Sequence, residues 1–177
     1  MIPSPRKMKR KRNPKKVGEK TGYHVVLRNL NTQKEDTLKF VTNFTFAKKG
    51  KWFAYTSTGS DNDADAGAFV INLENGDKRH IHSTKKPKYN QLQFSESGKN
   101  LGFVVDTDTT KIQVRPNELY FWSVGNTMAE KLVDSESAPD GYLVSSDGQV
   151  SFSKDESKLF FGLRKPPIVK DTTLTDE

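Results

Sequence analysis

The chain has 177 residues, which is enough for one ordinary domain, and 10% of them are aromatic. This supply of aromatic side chains excludes a wholly disordered chain. The sequence contains no cysteine, which excludes disulfides, thiolate nucleophiles and cysteine-based metal sites. No apolar run approaches the roughly 18 residues of a membrane-spanning helix, so we expect no membrane span.

The net charge of +7 comes from the first twenty residues. Residues 1–20 hold nine Lys or Arg side chains and one Glu, a balance of +8, which leaves −1 for the other 157 residues. The basic run Arg6–Lys16 could contact nucleic-acid phosphates or serve as a nuclear import signal. It has no aromatic residue for stacking on bases, and no apolar stretch follows it as in a secretory signal. We predict a flexible basic leader and expect no nucleic-acid partner.

Beyond the leader, short strands rich in β-branched and aromatic residues alternate with turns rich in Gly, Asn, Asp and Ser. In chain order they predict an outer half-blade over 21–40, a complete blade over 41–84, a second complete blade over 89–134 and an inner half-blade over 147–163. Residues 164–177 are predicted to form a linker. No helical spacing of apolar residues is sustained anywhere in the sequence.

Three segments align without a gap: residues 44–55, 92–103 and 150–161. Their corresponding aromatic residues are Phe46, Phe94 and Phe152. Spacings near 50 residues are typical of repeat folds. Each segment has an alternating arm, a polar turn in which Gly50 and Gly98 are predicted to have positive φ, and a second arm that is apolar almost throughout. A continuous apolar arm indicates that both faces of its strand are covered.

Coverage on both faces of an antiparallel sheet requires further sheets stacked on each side. We therefore predict an all-β fold, a partial β-propeller of about three four-stranded antiparallel blades. An antiparallel β-sandwich also has short strands and regular turns, but the recurrence of one hairpin favours the propeller. Three blades leave two apolar flanks uncovered, so we expect the isolated chain to associate.

The hairpin motif, usually written F-S-x-D-G-K-x-L-x-F, is followed near the C-terminus by a more specific succession. It comprises Gly141–Gly148, Val150–Asp155, Leu159–Gly162, Pro166–Pro167 and Lys170–Thr172. On these residues the chain resembles, over about residues 23–177, the non-catalytic β-propeller domain of the prolyl oligopeptidase family of serine peptidases, in its bacterial form with a TolB-like blade motif. Glu156 departs from that motif, where Gly or a short polar residue is usual, and its turn is therefore expected to be looser.

The resemblance implies an incomplete fragment of a substrate-gating propeller that has no chemistry of its own. Its implied partners are the remaining blades and an α/β-hydrolase domain of the parent serine peptidase, with peptide substrates contacted indirectly. Bacterial members of the family are often exported, which favours a periplasmic or extracellular parent. The alternative is a TolB-like or WD-repeat-like interaction scaffold with no attached hydrolase.

The sequence nominates no catalytic, cofactor-binding or metal-binding residue. It has no Gly-x-Ser-x-Gly pentapeptide, which a hydrolase nucleophile elbow requires. Its three histidines are His24, His80 and His82, all in predicted strands. No catalytic triad is therefore expected, and no cofactor.

Three constellations have a chemical and a structural interpretation. The loop Asp61–Gly67 places carboxylates as at the start of a calcium-binding EF-hand loop, but lacks the Gly and Glu of that motif, so we predict a solvated hairpin tip. His80 and His82 are expected on one face of a strand, a spacing that can hold zinc, but no third ligand is evident. Trp52 and Trp122 could form a ligand platform, but their places in repeating strands predict core.

Overall fold

The computed structural model describes residues 22–60, 65–84, 87–108 and 114–168. These residues form antiparallel strands and no helix. The basic leader, part of the Asp61–Gly67 loop and most of the predicted linker lie outside them. The strands are β1 Tyr23–Arg28, β2 Glu35–Phe46, β3 Trp52–Ser57, β4 Gly67–Asn72, β5 Lys78–His82, β6 Lys88–Phe94, β7 Asn100–Asp106, β8 Asn117–Ser123, β9 Glu130–Val133, β10 Leu143–Val144, β11 Ser151–Phe152, β12 Leu159–Phe160 and β13 Leu163–Arg164.

Strands β1 to β5 form the first sheet, an antiparallel meander in chain order. Its long strand β2 changes partners along its length: Leu38 is opposite Val25 of β1, whereas Phe44 is opposite Tyr55 of β3. Phe40, between these two stretches, has a positive φ of 54°. The predicted outer half-blade and the predicted first blade thus share one strand, and the division between them stays a prediction.

Strands β6 to β9 form the second sheet, a four-stranded meander of the same kind. The remaining strands belong to a third hairpin, in which β10 pairs with β13 and β11 with β12. Gly148 and Gly162 pass so close together that a Cβ on Gly148 would lie 2.4 Å from the Gly162 Cα. This close approach of the two arms requires glycine at both positions.

The sheets stack on one another in chain order, each through equivalent faces. Each sheet has two faces. We call one the trailing face; it bears Trp52 and Ala54 in the first sheet and their counterparts Asn100 and Gly102 in the second. We call the opposite face the leading face. The main core lies between the trailing face of the first sheet and the leading face of the second. Its buried residues are Trp52, Ala54, Ala68, Val70, Ile81, Tyr89, Leu92, Phe94, Leu101, Phe103, Val105 and Trp122.

A second core repeats this arrangement one step further along the chain. Val104 and Leu119 on the trailing face of the second sheet pack against Val144 and Val150 of the third hairpin. A Cβ on Gly102 would lie 2.8 Å from Val150 Cγ1, so the third hairpin contacts the backbone of β7 directly. Trailing face meets leading face at both contacts, as between successive propeller blades.

Burial confirms that the second hairpin arms are covered on both faces in two of the three repeats. Every residue of β3 is buried, and so is every residue of β7 after Asn100. The corresponding arm of the third hairpin is covered on one face only, and Phe160 is 54% exposed. Repeated stacking of antiparallel sheets in one sense defines a partial β-propeller. The all-β prediction is confirmed, with five strands in the first sheet and only short pairs in the third hairpin.

Candidate functional site

Three hairpin tips lie side by side at one end of the stacked sheets, and we define them as residues 47–51, 95–99 and 153–157. Each is closed by the same backbone hydrogen bond, from Ala47 N to Trp52 O at 2.9 Å, from Ser95 N to Asn100 O at 2.8 Å and from Ser153 N to Lys158 O at 2.9 Å. The tips of successive repeats contact each other through polar groups, and they form a polar edge.

The turn of each tip needs a residue with positive φ. Gly50 has a φ of 104° and Gly98 a φ of 76°, as the sequence predicts. Gly98 also lies against the preceding tip, because a Cβ there would be 2.4 Å from Lys49 O and 2.6 Å from Ala47 Cβ. Glycine at position 98 therefore satisfies both the turn and the approach of the neighbouring backbone.

An ion pair joins the first tip to the second. Lys49 Nζ lies 2.5 Å from Glu96 Oε1. The hydrogen bond and the charge of Glu96 raise the pKa of Lys49, and those of Lys49 lower the pKa of Glu96. Both side chains are exposed to water, so this pair contributes little to stability. It does show which positions of adjacent tips face each other.

Glu156 joins the third tip to the second. It has a φ of 58°, and its carboxylate accepts hydrogen bonds from Ser97 N at 2.5 Å, Ser97 Oγ at 2.8 Å and Asn100 Nδ2 at 3.2 Å. Burial opposes ionisation, yet the bonds from Ser97, Ser95 and Asn100 outweigh it and hold the pKa of Glu156 below its ordinary value. The expectation of a looser turn is wrong, because these charge-assisted bonds stabilise the left-handed residue.

A buried histidine connects the first and second sheets. His82 Nδ1 and the Tyr89 hydroxyl are 2.8 Å apart, and the His82 ring packs edge-on against Tyr120 with centroids 4.3 Å apart. Burial lowers the pKa of His82, while the charge of Glu118 offsets part of that effect and His80 adds to it. Burial also raises the pKa of Tyr120 to about 12. The imidazole is therefore held in its neutral form between the sheets.

This burial makes the stability of the fold depend on pH near neutrality. Unfolded His82 takes up its proton near the ordinary pKa of about 6.5, whereas the folded protein takes it up only at a lower pH. Between those two values the unfolded state binds more protons, so the free energy of unfolding should fall as the pH is lowered from about 7.5 to 5.5. Urea titrations across this range measure the slope.

The variant His82→Gln should lose most of that slope, and His24→Gln, a change on the exposed strand β1, serves as the matched control that keeps it. A wild-type stability that is constant from about pH 7.5 to 5.5 would contradict the assignment of a buried neutral imidazole.

The structure separates the two histidines that the sequence places on one face. A β-bulge between Ala68 and Phe69 sets Phe69 opposite His80 and Ala68 opposite His82. The His80 ring stacks on Phe69 with centroids 4.3 Å apart, on the leading side, whereas His82 faces the second sheet. The expected common face is wrong because the bulge inserts one residue. Within the described ranges no group of three or more His, Asp or Glu could hold a metal ion.

The other residues named in the sequence analysis lie either in the core or outside the residues that the structure describes. Trp52 and Trp122 are buried and pack edge to face with ring centroids 5.3 Å apart, which confirms that they are core residues. Residues 61–64 of the loop with the calcium interpretation lie outside the residues that the structure describes. The basic run Arg6–Lys16 lies outside them as well. Among the residues that the structure describes, no helix is long and apolar enough to cross a membrane.

A polar contact that sequence reasoning missed anchors the loop after β7. Asp106 is buried, its Oδ2 accepts a hydrogen bond from Arg115 Nη1 at 2.7 Å, and its Oδ1 accepts one from Asp108 N at 3.1 Å. The signal was a carboxylate at the end of an apolar strand with an arginine nine residues later. This contact fixes the start and end of the loop; residues 109–113 lie outside the description.

No protein-family model and no curated protein matches the sequence. The chain is similar to the β-propeller domain of the Trilobed protease from Pyrococcus furiosus, described as having an open velcro topology, at 18% identity and a TM-score of 0.46, with 68% of this chain and 33% of that one covered. An oligogalacturonate lyase in complex with manganese is similar at 14% identity and a TM-score of 0.46, with 73% and 33% covered.

This chain therefore spans about one third of the length of those two structures. At these identities and TM-scores the similarities assign neither a family nor an activity. The class of protein is defined by the stacked sheets themselves: this chain is a partial β-propeller.

Proposed function

We propose that this chain is a segment of the substrate-gating propeller of a prolyl-oligopeptidase-like serine peptidase, and that it positions other domains without performing chemistry. The observation that carries the proposal is the succession of three equivalent hairpins whose tips meet at one end of the stack. In such an arrangement the innermost strands surround an axis, and the tips form a rim that limits what can pass along it.

The domain assignment belongs to the same proposal. Residues 41–84 and 89–134 are complete blades, and residues 21–40 supply the outer strands of a blade that precedes them. Residues 147–163 supply the inner strands of a blade that follows, and residues 164–177 form a linker. On the leading face of the first sheet, Phe53 and Tyr55 are buried against Leu38, whereas Phe44 and Phe46 are exposed. This supports the division, since the inner strands of a preceding blade would cover the two exposed rings.

The absence of a Gly-x-Ser-x-Gly pentapeptide from the sequence supports a non-catalytic role for this segment. The peptidase connection rests on the hairpin motif and on the succession from Gly141 to Thr172. The alternative, an interaction scaffold with no attached hydrolase, is compatible with the same stacked sheets.

Two experiments decide between these functions. Reading the coding sequence beyond Glu177 should reveal further blades and then a Gly-x-Ser-x-Gly segment; a stop codon after closing blades would favour the scaffold. A fluorophosphonate probe for activated serines should leave the purified 177-residue chain unlabelled. Labelling of the purified chain would overturn the non-catalytic assignment.

A further inference from the structure

Both ends of the stack present aromatic side chains that the interior repeats bury. On the leading face of the first sheet, Phe44 and Phe46 are each 50% exposed, whereas their counterparts Leu92 and Phe94 are 7% and 5% exposed. On the trailing face of the third hairpin, Phe160 is 54% exposed, whereas its counterpart Ala54 is fully buried. In the second sheet the equivalent leading face is covered by the trailing face of the sheet before it. Part of the leading face of the first sheet is already covered, because Phe53 and Tyr55 are buried against Leu38. The part that stays exposed, at Phe44 and Phe46, therefore fits a trailing face of the same kind.

The tips follow one rule of contact. Counting from the aligned phenylalanine, Lys49 and Ser97 are third in their tips, and each faces an acid of the next tip. That acid is the second residue, Glu96, in one case and the fourth, Glu156, in the other. The third position of one tip thus meets the second or fourth position of the tip that follows.

At the two ends of the stack, the second position of the first tip and the third position of the last tip carry opposite charges. The second residue of the first tip is Lys48, which is exposed and acts on the pKa of Glu96 as well. The third residue of the last tip is Asp155, which is exposed. Hydrogen bonds from the Ser153 and Ser157 hydroxyls lower the pKa of Asp155 to about 2, so it stays anionic at neutral pH. In the observed pair, the third residue, Lys49, is basic and the second residue of the next tip, Glu96, is acidic. A pair of Asp155 with Lys48 would join the same two positions with the charges exchanged.

We propose that copies of this chain associate head to tail, with the exposed part of the leading face of the first sheet, at Phe44 and Phe46, covered by the trailing face of the third hairpin of a second copy. In this interface Phe44 and Phe46 of one copy pack against Phe160 of the other, and Lys48 pairs with Asp155. The two surfaces differ, so the contact is heterologous and either closes into a ring or continues to grow. The inference rests on the part of the proposed function that concerns stacked propeller blades, and it does not depend on an attached hydrolase.

Sedimentation velocity over a range of concentrations tests this interface. The wild-type chain should associate, and Lys48→Glu or Asp155→Lys alone should weaken association at least about fivefold, because each places like charges opposite each other. The combination of Lys48→Glu with Asp155→Lys should restore it, since the pair is then reversed. Lys34→Glu combined with Asp140→Lys is the matched control at exposed positions away from the tips, and it should behave as the wild type.

An apolar variant tests the other half of the same interface. Phe46→Thr should also weaken association, whereas Leu30→Thr, at a residue that is 81% exposed in the turn between β1 and β2, should not. Circular dichroism shows whether each variant is folded. The proposal would be overturned by a monomeric wild-type chain, or by association that neither single charge reversal weakens. The exposed rings of Phe44 and Phe46 would then be assigned to contact with a preceding blade of a longer chain. Neither result bears on the serine probe or on the downstream coding sequence, so failure here is distinguishable from failure of the peptidase proposal.

Discussion

Replacing Trp122 by alanine should lower the free energy of unfolding by about 3–5 kcal/mol, the range for large aromatic residues in a core. Its side chain is fully buried between the first two sheets and packs edge to face on Trp52. Its Nε1 donates a hydrogen bond to Asn126 O at 2.9 Å, and truncation removes this bond as well. Since Trp122 belongs to the second sheet and Trp52 to the first, the loss reports on stacking between the two sheets.

Urea unfolding followed by the fluorescence of Trp52 measures this loss. Val124→Ala is a suitable control, because Val124 is two residues away in the sequence and 42% exposed. That control should change the free energy of unfolding by less than about 0.5 kcal/mol. A loss at Trp122 no larger than the loss at Val124 would contradict the packing of the two sheets through their indole rings.

Replacing Gly98 by alanine should cost about 2–5 kcal/mol of stability. An alanine at a φ of 76° costs about 1–2 kcal/mol by itself. In addition, its Cβ would lie 2.4 Å from Lys49 O and 2.6 Å from Ala47 Cβ, both in the preceding tip. The tips would have to move apart, and overpacking of this kind costs about 1–3 kcal/mol more.

Gly125→Ala separates the two costs. Gly125 has a φ of 107°, and a Cβ there would have no heavy atom within 4 Å, so this variant carries backbone strain alone. The same urea titration should show a loss of about 1–2 kcal/mol at Gly125 and a clearly larger one at Gly98. Equal losses would mean that the second tip does not contact the first.

Much of the fold can be predicted from the sequence because its information is local and repeated. The alternating arms, the glycines at positions 50 and 98 and the apolar second arms each define a hairpin within about twelve residues. Three aligned copies then imply that each hairpin sits in a similar environment. The aromatic residues Trp52 and Trp122 follow as core residues from their places in those arms.

The remainder depends on contacts that no local pattern encodes. The β-bulge that turns His80 and His82 to opposite faces is one inserted residue in the pairing of β4 with β5. The role of Glu156 depends on Ser97, which is 59 residues away in the sequence. A motif comparison marks Glu156 only as a departure, because the hydrogen bonds that stabilise its left-handed backbone come from another repeat.

Nuclear Overhauser contacts between adjacent repeats test most directly whether the hairpins stack side by side. A Cβ on Gly98 would lie 2.6 Å from Ala47 Cβ, so the Ala47 methyl and the Gly98 α-protons should give a strong cross-peak. The Val150 methyls and the Gly102 α-protons should give another, since Val150 Cγ1 is 2.8 Å from the position of a Cβ on Gly102. Both cross-peaks together are the expected result for three stacked units. A folded chain that shows neither would contradict the propeller arrangement.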